Sequence, residues 1–130
     1  MKGFYNQLLR INLSDKSHQI EPVADELLER YLGGKGLATH LIMENNPPGV
    51  DPMSPENHLI FITGPVSGTP IWGSCRYGVY TKSPQTGFYS ESYSGGTVAD
   101  YMARTGFDAV MLHGASADPC WIEVSDQGVF

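Results

Sequence analysis

Leu9, Ile11 and Leu13 alternate with Arg10 and Asn12, and after the turn residues Ser14-Asp15-Lys16-Ser17 a second extended run covers His18 to Val23. A period of two broken by a polar turn predicts a β-hairpin. The period then changes. In ADELLERYLGG the acids come first, Leu27, Leu28, Tyr31 and Leu32 fall on one face, and Gly33-Gly34 supplies a stop, which predicts a short amphipathic helix. Leu37, Leu41 and Ile42 continue at helical spacing and predict a second helix from about Gly36 to Glu44. Asn45 to Asn57 holds four prolines and one glycine, so it suits neither a helix nor a central strand and reads as a long, stiff loop.

Beyond that loop, Leu59 to Thr63 is apolar enough for a buried strand, closed by Gly64-Pro65. Arg76 to Lys82 and Phe88 to Tyr93 read as paired strands joined by Ser83-Pro84-Gln85-Thr86-Gly87. Ser94-Gly95-Gly96 then opens a third helix, with Ser94 as the expected N-cap and Gly106 as its end. Phe107 to His113 and Cys120 to Ser125 are two further strands, and a turn at Asp126-Gln127-Gly128 leads to the expected start of a returning strand. Three helices and about seven strands, several in hairpins, predict an α+β fold with mixed or antiparallel sheets.

Composition narrows the class. One domain is expected from 130 residues with 41% hydrophobic content. A net charge of −6 speaks against nucleic acid and against an anionic membrane surface as partners, because both require a basic face. No run reaches the roughly 18 apolar residues of a membrane span, and the first residues lack the apolar core of a signal peptide, so a soluble cytoplasmic protein is expected. Cys75 and Cys120 have no C-x-x-C spacing, which fits reduced thiols in such a compartment.

The chemistry concentrates in GSCRYGVYTKSPQTGFYSESYSGG, Gly73 to Gly96, where five glycines, seven Ser/Thr hydroxyls and four tyrosines surround Arg76, Lys82 and Glu91. A core strand wants bulk, so glycine at this density points to a close backbone approach to a polar or phosphorylated ligand. At Ser94-Gly95-Gly96 two readings stay open: an anion site formed by free N–H groups, or an ordinary capped helix that needed glycine for packing. Arg76 likewise is either a planar donor to phosphate or a flat heterocycle, or a structural arginine paired with one of nine acids beyond Lys35. Lys82 reads as a solvated hairpin residue. Cys75, His113 and Cys120 are a conceivable zinc set without a recognised spacing. Tyr77, Tyr80, Tyr89 and Tyr93 are candidates to stack on a ring and equally ordinary strand residues. The residues alone reach a phosphorylated, polar ligand near positions 76 and 94 to 96.

The ordered series LLRINLS, YLGGKGLATHL, DPMSPENHLIFITGPVSGT, RYGVYTKSPQTGF, SGG before a helix and GFDAVMLHG resembles the N-terminal domain of the tungsten- or molybdenum-dependent aldehyde ferredoxin oxidoreductase family over essentially the whole chain. The resemblance implies an enzyme that oxidises aldehydes to carboxylic acids with ferredoxin as electron acceptor, its metal held between two pterins. Residues 1–130 would be the first part of a larger β-rich, cofactor-binding domain, and the 4Fe-4S cluster would be ligated outside them. Carried onto this chain, the resemblance makes Arg76 and Gly95 cofactor contacts, and with the residue reading of the same turn the candidate cofactor-binding set is Arg76, Tyr93, Ser94, Gly95 and Gly96, with no catalytic residue among the 130. Where family members often carry asparagine, Tyr93 stands, and its main-chain carbonyl would help hold a magnesium ion bridging the pterin phosphates. A sheet deprived of its continuation after Cys120 to Ser125 would expose an unpaired edge, so self-association into a homo-oligomer is expected, and these residues alone are expected to bind no cofactor and to be inactive. The alternative is a stand-alone, non-catalytic module for a phosphorylated ligand or a partner subunit.

Overall fold

The computed structural model describes residues 2–125 and 127–130. The first hairpin forms as the alternation predicts, β1 at Gln7–Asn12 and β2 at Ser17–Pro22, paired antiparallel with Leu9 opposite Ile20. Helix α1, Asp25–Tyr31, and helix α2, Gly34–Asn45, follow almost without a linker. The break lies one residue earlier than the glycines suggested. Leu32 itself takes the left-handed conformation at φ 54°, and its N–H closes on the Leu28 carbonyl at 2.7 Å. Gly33 at φ 70° then turns the chain so that Gly34 begins α2.

Strands β3 (Leu59–Thr63), β4 (Tyr77–Lys82) and β5 (Tyr89–Ser94) form a meander; helix α3 spans Val98–Arg104 and strand β6 Ala109–His113. The six strands make one sheet in the order β2-β1-β6-β3-β4-β5. All neighbours are antiparallel except β1 and β6, which run parallel because α3 carries the chain back across the sheet. The fold is therefore α+β with a mixed sheet.

The C-terminal strand is shorter than its apolar residues suggested. Only Val124–Ser125 (β7) is strand, paired with Gly128–Val129 (β8), and Cys120 to Ile122 lie outside this short ladder. The returning strand expected at the end is present, locked by reciprocal Glu123 and Phe130 main-chain bonds of 2.9 Å.

Alternation along each strand sorts the side chains into two layers. Leu8, Ile60, Ile62, Tyr80, Ala109 and Met111 face α1 and α2, meeting Leu28, Leu37, Ala38, Leu41 and Ile42 in the main core. Leu9, Ile11 and Phe107 face the other way, against Val110, Leu112, Ile122 and Val124. Asp108 is buried just before β6, and its carboxylate accepts the Tyr5 N–H at 2.9 Å and the Gln7 N–H at 3.2 Å, which pins the N-terminal segment to the start of β6.

Candidate functional site

The β4–β5 ladder sets Tyr77 opposite Ser94 and Gly78 opposite Tyr93. Gly78 has a packing reason: a Cβ there would lie 2.7 Å from Tyr80 Cζ, so the missing side chain is what lets the Tyr80 ring fold back along its own strand. That ring is 1% exposed and packs edge-on against Tyr93, with centroids 5.9 Å apart. Burial, then the neighbouring Tyr93 hydroxyl, pushes the Tyr80 phenol far above its ordinary range, so it stays neutral. Tyr80 is thus a core residue and not a stacking surface. Tyr89 and Tyr93 are exposed, and Tyr77 is partly so.

Arg76 and Gly95 come together. A Cβ at Gly95 would meet Arg76 Cδ and Nε at 3.9 Å and the Cys75 carbonyl at 3.8 Å, so the arginine stem lies along the glycine backbone. Ser67 fixes the approach to Arg76, its hydroxyl lying 3.2 Å from the Ser74 carbonyl and 3.3 Å from the Gly64 N–H. Among the described residues the ion pairs are Arg10 with Glu21 and Lys35 with Glu91, and the exposed Arg76 guanidinium takes part in neither.

A cavity of about 220 Å³ opens beside Arg76, walled by the first turn of α2, the end of β3, the loop after it and the β4–β5 ladder. Gly34, Gly64 and Gly73 line it, and a Cβ at any of them would meet nothing within 4 Å. The cavity wall is open where those glycines stand.

Ser94 is not a helix cap. It is still paired with Tyr77 as the last residue of β5, Gly96 turns the chain at φ +91°, and α3 begins only at Val98, after Thr97, with no side-chain cap. The ladder outcompetes the cap for Ser94 because β4 places Tyr77 opposite it. Lys82 is likewise not simply solvated. Its ammonium donates to the Val50 carbonyl, and Asn57 Nδ2 bonds the Lys82 and Pro52 carbonyls at 3.0 and 2.9 Å, so the proline-rich loop is tied to the end of β4. Among the described residues no group of three or more His, Cys, Asp and Glu is placed to hold a metal ion, so Cys75, His113 and Cys120 do not form the conceivable zinc set.

Sequence reasoning overlooked Lys35. Its Nζ is 2.9 Å from Glu91 Oε1, and the second Glu91 oxygen accepts the Tyr93 hydroxyl at 2.9 Å. Both partners respond as an ion pair should: bonding to Lys35 and then to Tyr93 holds the Glu91 carboxyl below its usual range, and Glu91 raises the Lys35 ammonium. The two residues are 56 positions apart, so no local pattern announces the pair.

A family profile described as aldehyde ferredoxin oxidoreductase, N-terminal domain, matches residues 8–130. The chain belongs to this family. It is 40% identical over 129 residues to a tungsten-containing aldehyde ferredoxin oxidoreductase of Thermococcus kodakarensis and 38% identical to one of Pyrococcus furiosus, in each case over 99% of this chain. The chain spans about a fifth, 21%, of the length of those curated relatives. Among solved structures, the active-site complex BamBC of benzoyl coenzyme A reductase, in complex with 1,5-dienoyl-CoA, superposes with a TM-score of 0.94 at 32% identity, over 98% of this chain and 20% of that one. The same N-terminal fold thus occurs in relatives named for aldehyde oxidation and in one named as a reductase. Among the described residues no helix is long and apolar enough to cross a membrane.

Proposed function

We propose that residues 1–130 form part of the cofactor bed of a tungsten-dependent oxidoreductase that oxidises an aldehyde to a carboxylic acid and passes the electrons through an iron–sulfur cluster to ferredoxin. The observation that carries this reading is Arg76, an exposed guanidinium outside the two ion pairs of the described residues, lying against Gly95 at the edge of a glycine-lined cavity. Beyond Lys35 nine acids stand against three Lys/Arg residues, so a cation free of an acid here is a choice that a bound anion explains.

The residues present fit the cofactor that the family name implies. Arg76 offers a planar fork to a phosphate or a pterin edge, Gly95 and Gly96 give main-chain N–H groups without a Cβ in the way, and the Tyr93 and Ser94 backbone continues the same edge. The Tyr93 carbonyl would serve a magnesium ion on the phosphates, since a carbonyl does not depend on which side chain it carries. When bound, the bis-pterin metal centre supplies the two-electron redox chemistry. The chain's own share is to bind and orient: it charges one side of the cofactor, shapes a flat seat and leaves catalytic side chains to other parts of the protein. Molybdenum is the alternative metal, and a homo-oligomer the proposed assembly.

The test is the tungsten and pterin content of the full-length protein carrying Arg76→Ala or Arg76→Lys. Loss of a charge-assisted contact of this kind costs about 1.5–3 kcal/mol, or roughly ten- to a hundredfold in affinity. Arg76→Ala should therefore lower cofactor content in a folded protein, and Arg76→Lys should restore part of it, because an ammonium keeps the charge and loses the fork. Cofactor occupancy equal to wild type in both variants would refute the assignment.

A further inference from the structure

We infer that Lys35 is a second cationic contact for the phosphorylated ligand of the Arg76 cavity, with Glu91 as its resident counter-ion and Tyr93 as the tether that holds Glu91. The inference rests on the reading of Arg76 given above and adds residues that the sequence did not single out for this role. Lys35 lies in the first turn of α2 and walls the same cavity as Arg76, from the opposite element of the fold. Its side chain remains 61% exposed, so the ammonium is not committed to the core.

The donors and charges are arranged for an incoming anion. An ammonium has three donors, and the Lys35 Nζ spends one of them on Glu91 Oε1 at 2.9 Å, which leaves two for a ligand. Glu91 does not move to meet an arriving phosphate because its other oxygen is held by the Tyr93 hydroxyl at 2.9 Å, and the Tyr93 ring in turn packs edge-on against the buried Tyr80. Without Lys35, the Glu91 carboxylate would stand near the cavity as a repelling charge. With it, the sum over Lys35, Glu91 and Arg76 is positive in a chain whose net charge is −6. Tyr93, at the position where the family resemblance leads one to expect asparagine, thereby gains a side-chain function: it anchors the counter-ion that presents Lys35.

The experiment titrates inorganic pyrophosphate into the full-length, cofactor-free protein by calorimetry at low ionic strength, in parallel with pterin and tungsten content of the same variants isolated with cofactor. Lys35→Ala should weaken pyrophosphate about three- to tenfold, less than a buried contact because solvent screens the ammonium. Glu91→Gln should raise the affinity, since the amide oxygen still accepts from Lys35 while the negative charge is removed. Pterin content should fall in Lys35→Ala and hold in Glu91→Gln. A purely structural salt bridge predicts the opposite pattern, with both substitutions shifting in the same direction, and that result would overturn the inference. Lys35→Ala binding as tightly as wild type while Arg76→Ala is weakened would remove Lys35 from the site and leave the reading of Arg76 standing. Wild-type affinity in both variants would remove the two together.

Discussion

Acidification from pH 7 to pH 5 should destabilise the fold through His58. This residue is 8% exposed, its ring stacks on His113 with centroids 5.3 Å apart, and both its backbone N–H and its Nδ1 bond to Asn46 Oδ1, at 3.0 and 2.8 Å. Burial, then the neighbouring His113 and Arg10, lower its pKa from 6.5 to about 4. The ring is therefore neutral when folded and takes up a proton when unfolded, so the unfolded chain binds more protons on acidification. The stabilisation is fully present above pH 6.5 and is lost as pH falls towards 4. At about 1.36 kcal/mol per pKa unit the full displacement amounts to roughly 3 kcal/mol, of which about 2 kcal/mol falls between pH 7 and pH 5. His113 is shifted in the same direction, chiefly by burial, and adds to the slope. The carboxylates whose pKa values are lowered, Asp15, Asp25 and Glu91, remain ionised in this window and contribute little to it. Urea unfolding of the chain at pH 7 and pH 5 measures the difference. His58→Phe keeps the main-chain bond to Asn46 and the stack on His113 while removing the titration, so it should flatten the profile. Equal midpoints for the wild type at the two pH values, or an unchanged slope in His58→Phe, would refute the reasoning.

Three further outcomes are expected. Gly78→Ala places a Cβ where the Tyr80 ring lies and should cost about 1–3 kcal/mol by overpacking; a urea midpoint equal to wild type would show that the ring has another place to go. At Gly95 a Cβ fits at ordinary contact distance, so Gly95→Ala should change stability by less than about 0.5 kcal/mol and yet lower pterin content in the full-length protein, whereas Gly96→Ala, at φ +91°, should cost about 1 kcal/mol in backbone strain alone. The purified 130 residues should reduce no viologen dye with aldehyde, since two cysteines cannot ligate an iron–sulfur cluster and the electrons would have no path; turnover accompanied by bound tungsten would overturn this.

Much of this protein is written locally. The alternation of Leu9, Ile11 and Leu13 gives the first hairpin, Leu59–Thr63 is strand β3 to the residue, and the proline-rich segment after α2 is a loop, because each depends on side-chain period and on the missing N–H of proline. Arg76 and Gly95 were visible too, as a rare cation and a glycine cluster in an acidic stretch. What the chain could not announce are the choices between equally good local partners. Ser94 has the chemistry of a helix cap and became the end of a strand because β4 lay beside it, and Cys120 to Ile122 are apolar enough for a strand and lie outside the short β7–β8 ladder. Lys82 found the Val50 carbonyl and Lys35 found Glu91 only once the sheet had brought β4 to the proline-rich loop and β5 to α2. Side-chain periodicity is a property of neighbouring residues and survives in the sequence, while hydrogen-bond and ion-pair partners 32 or 56 positions away are selected by the packing of layers, so they exist only in the folded molecule.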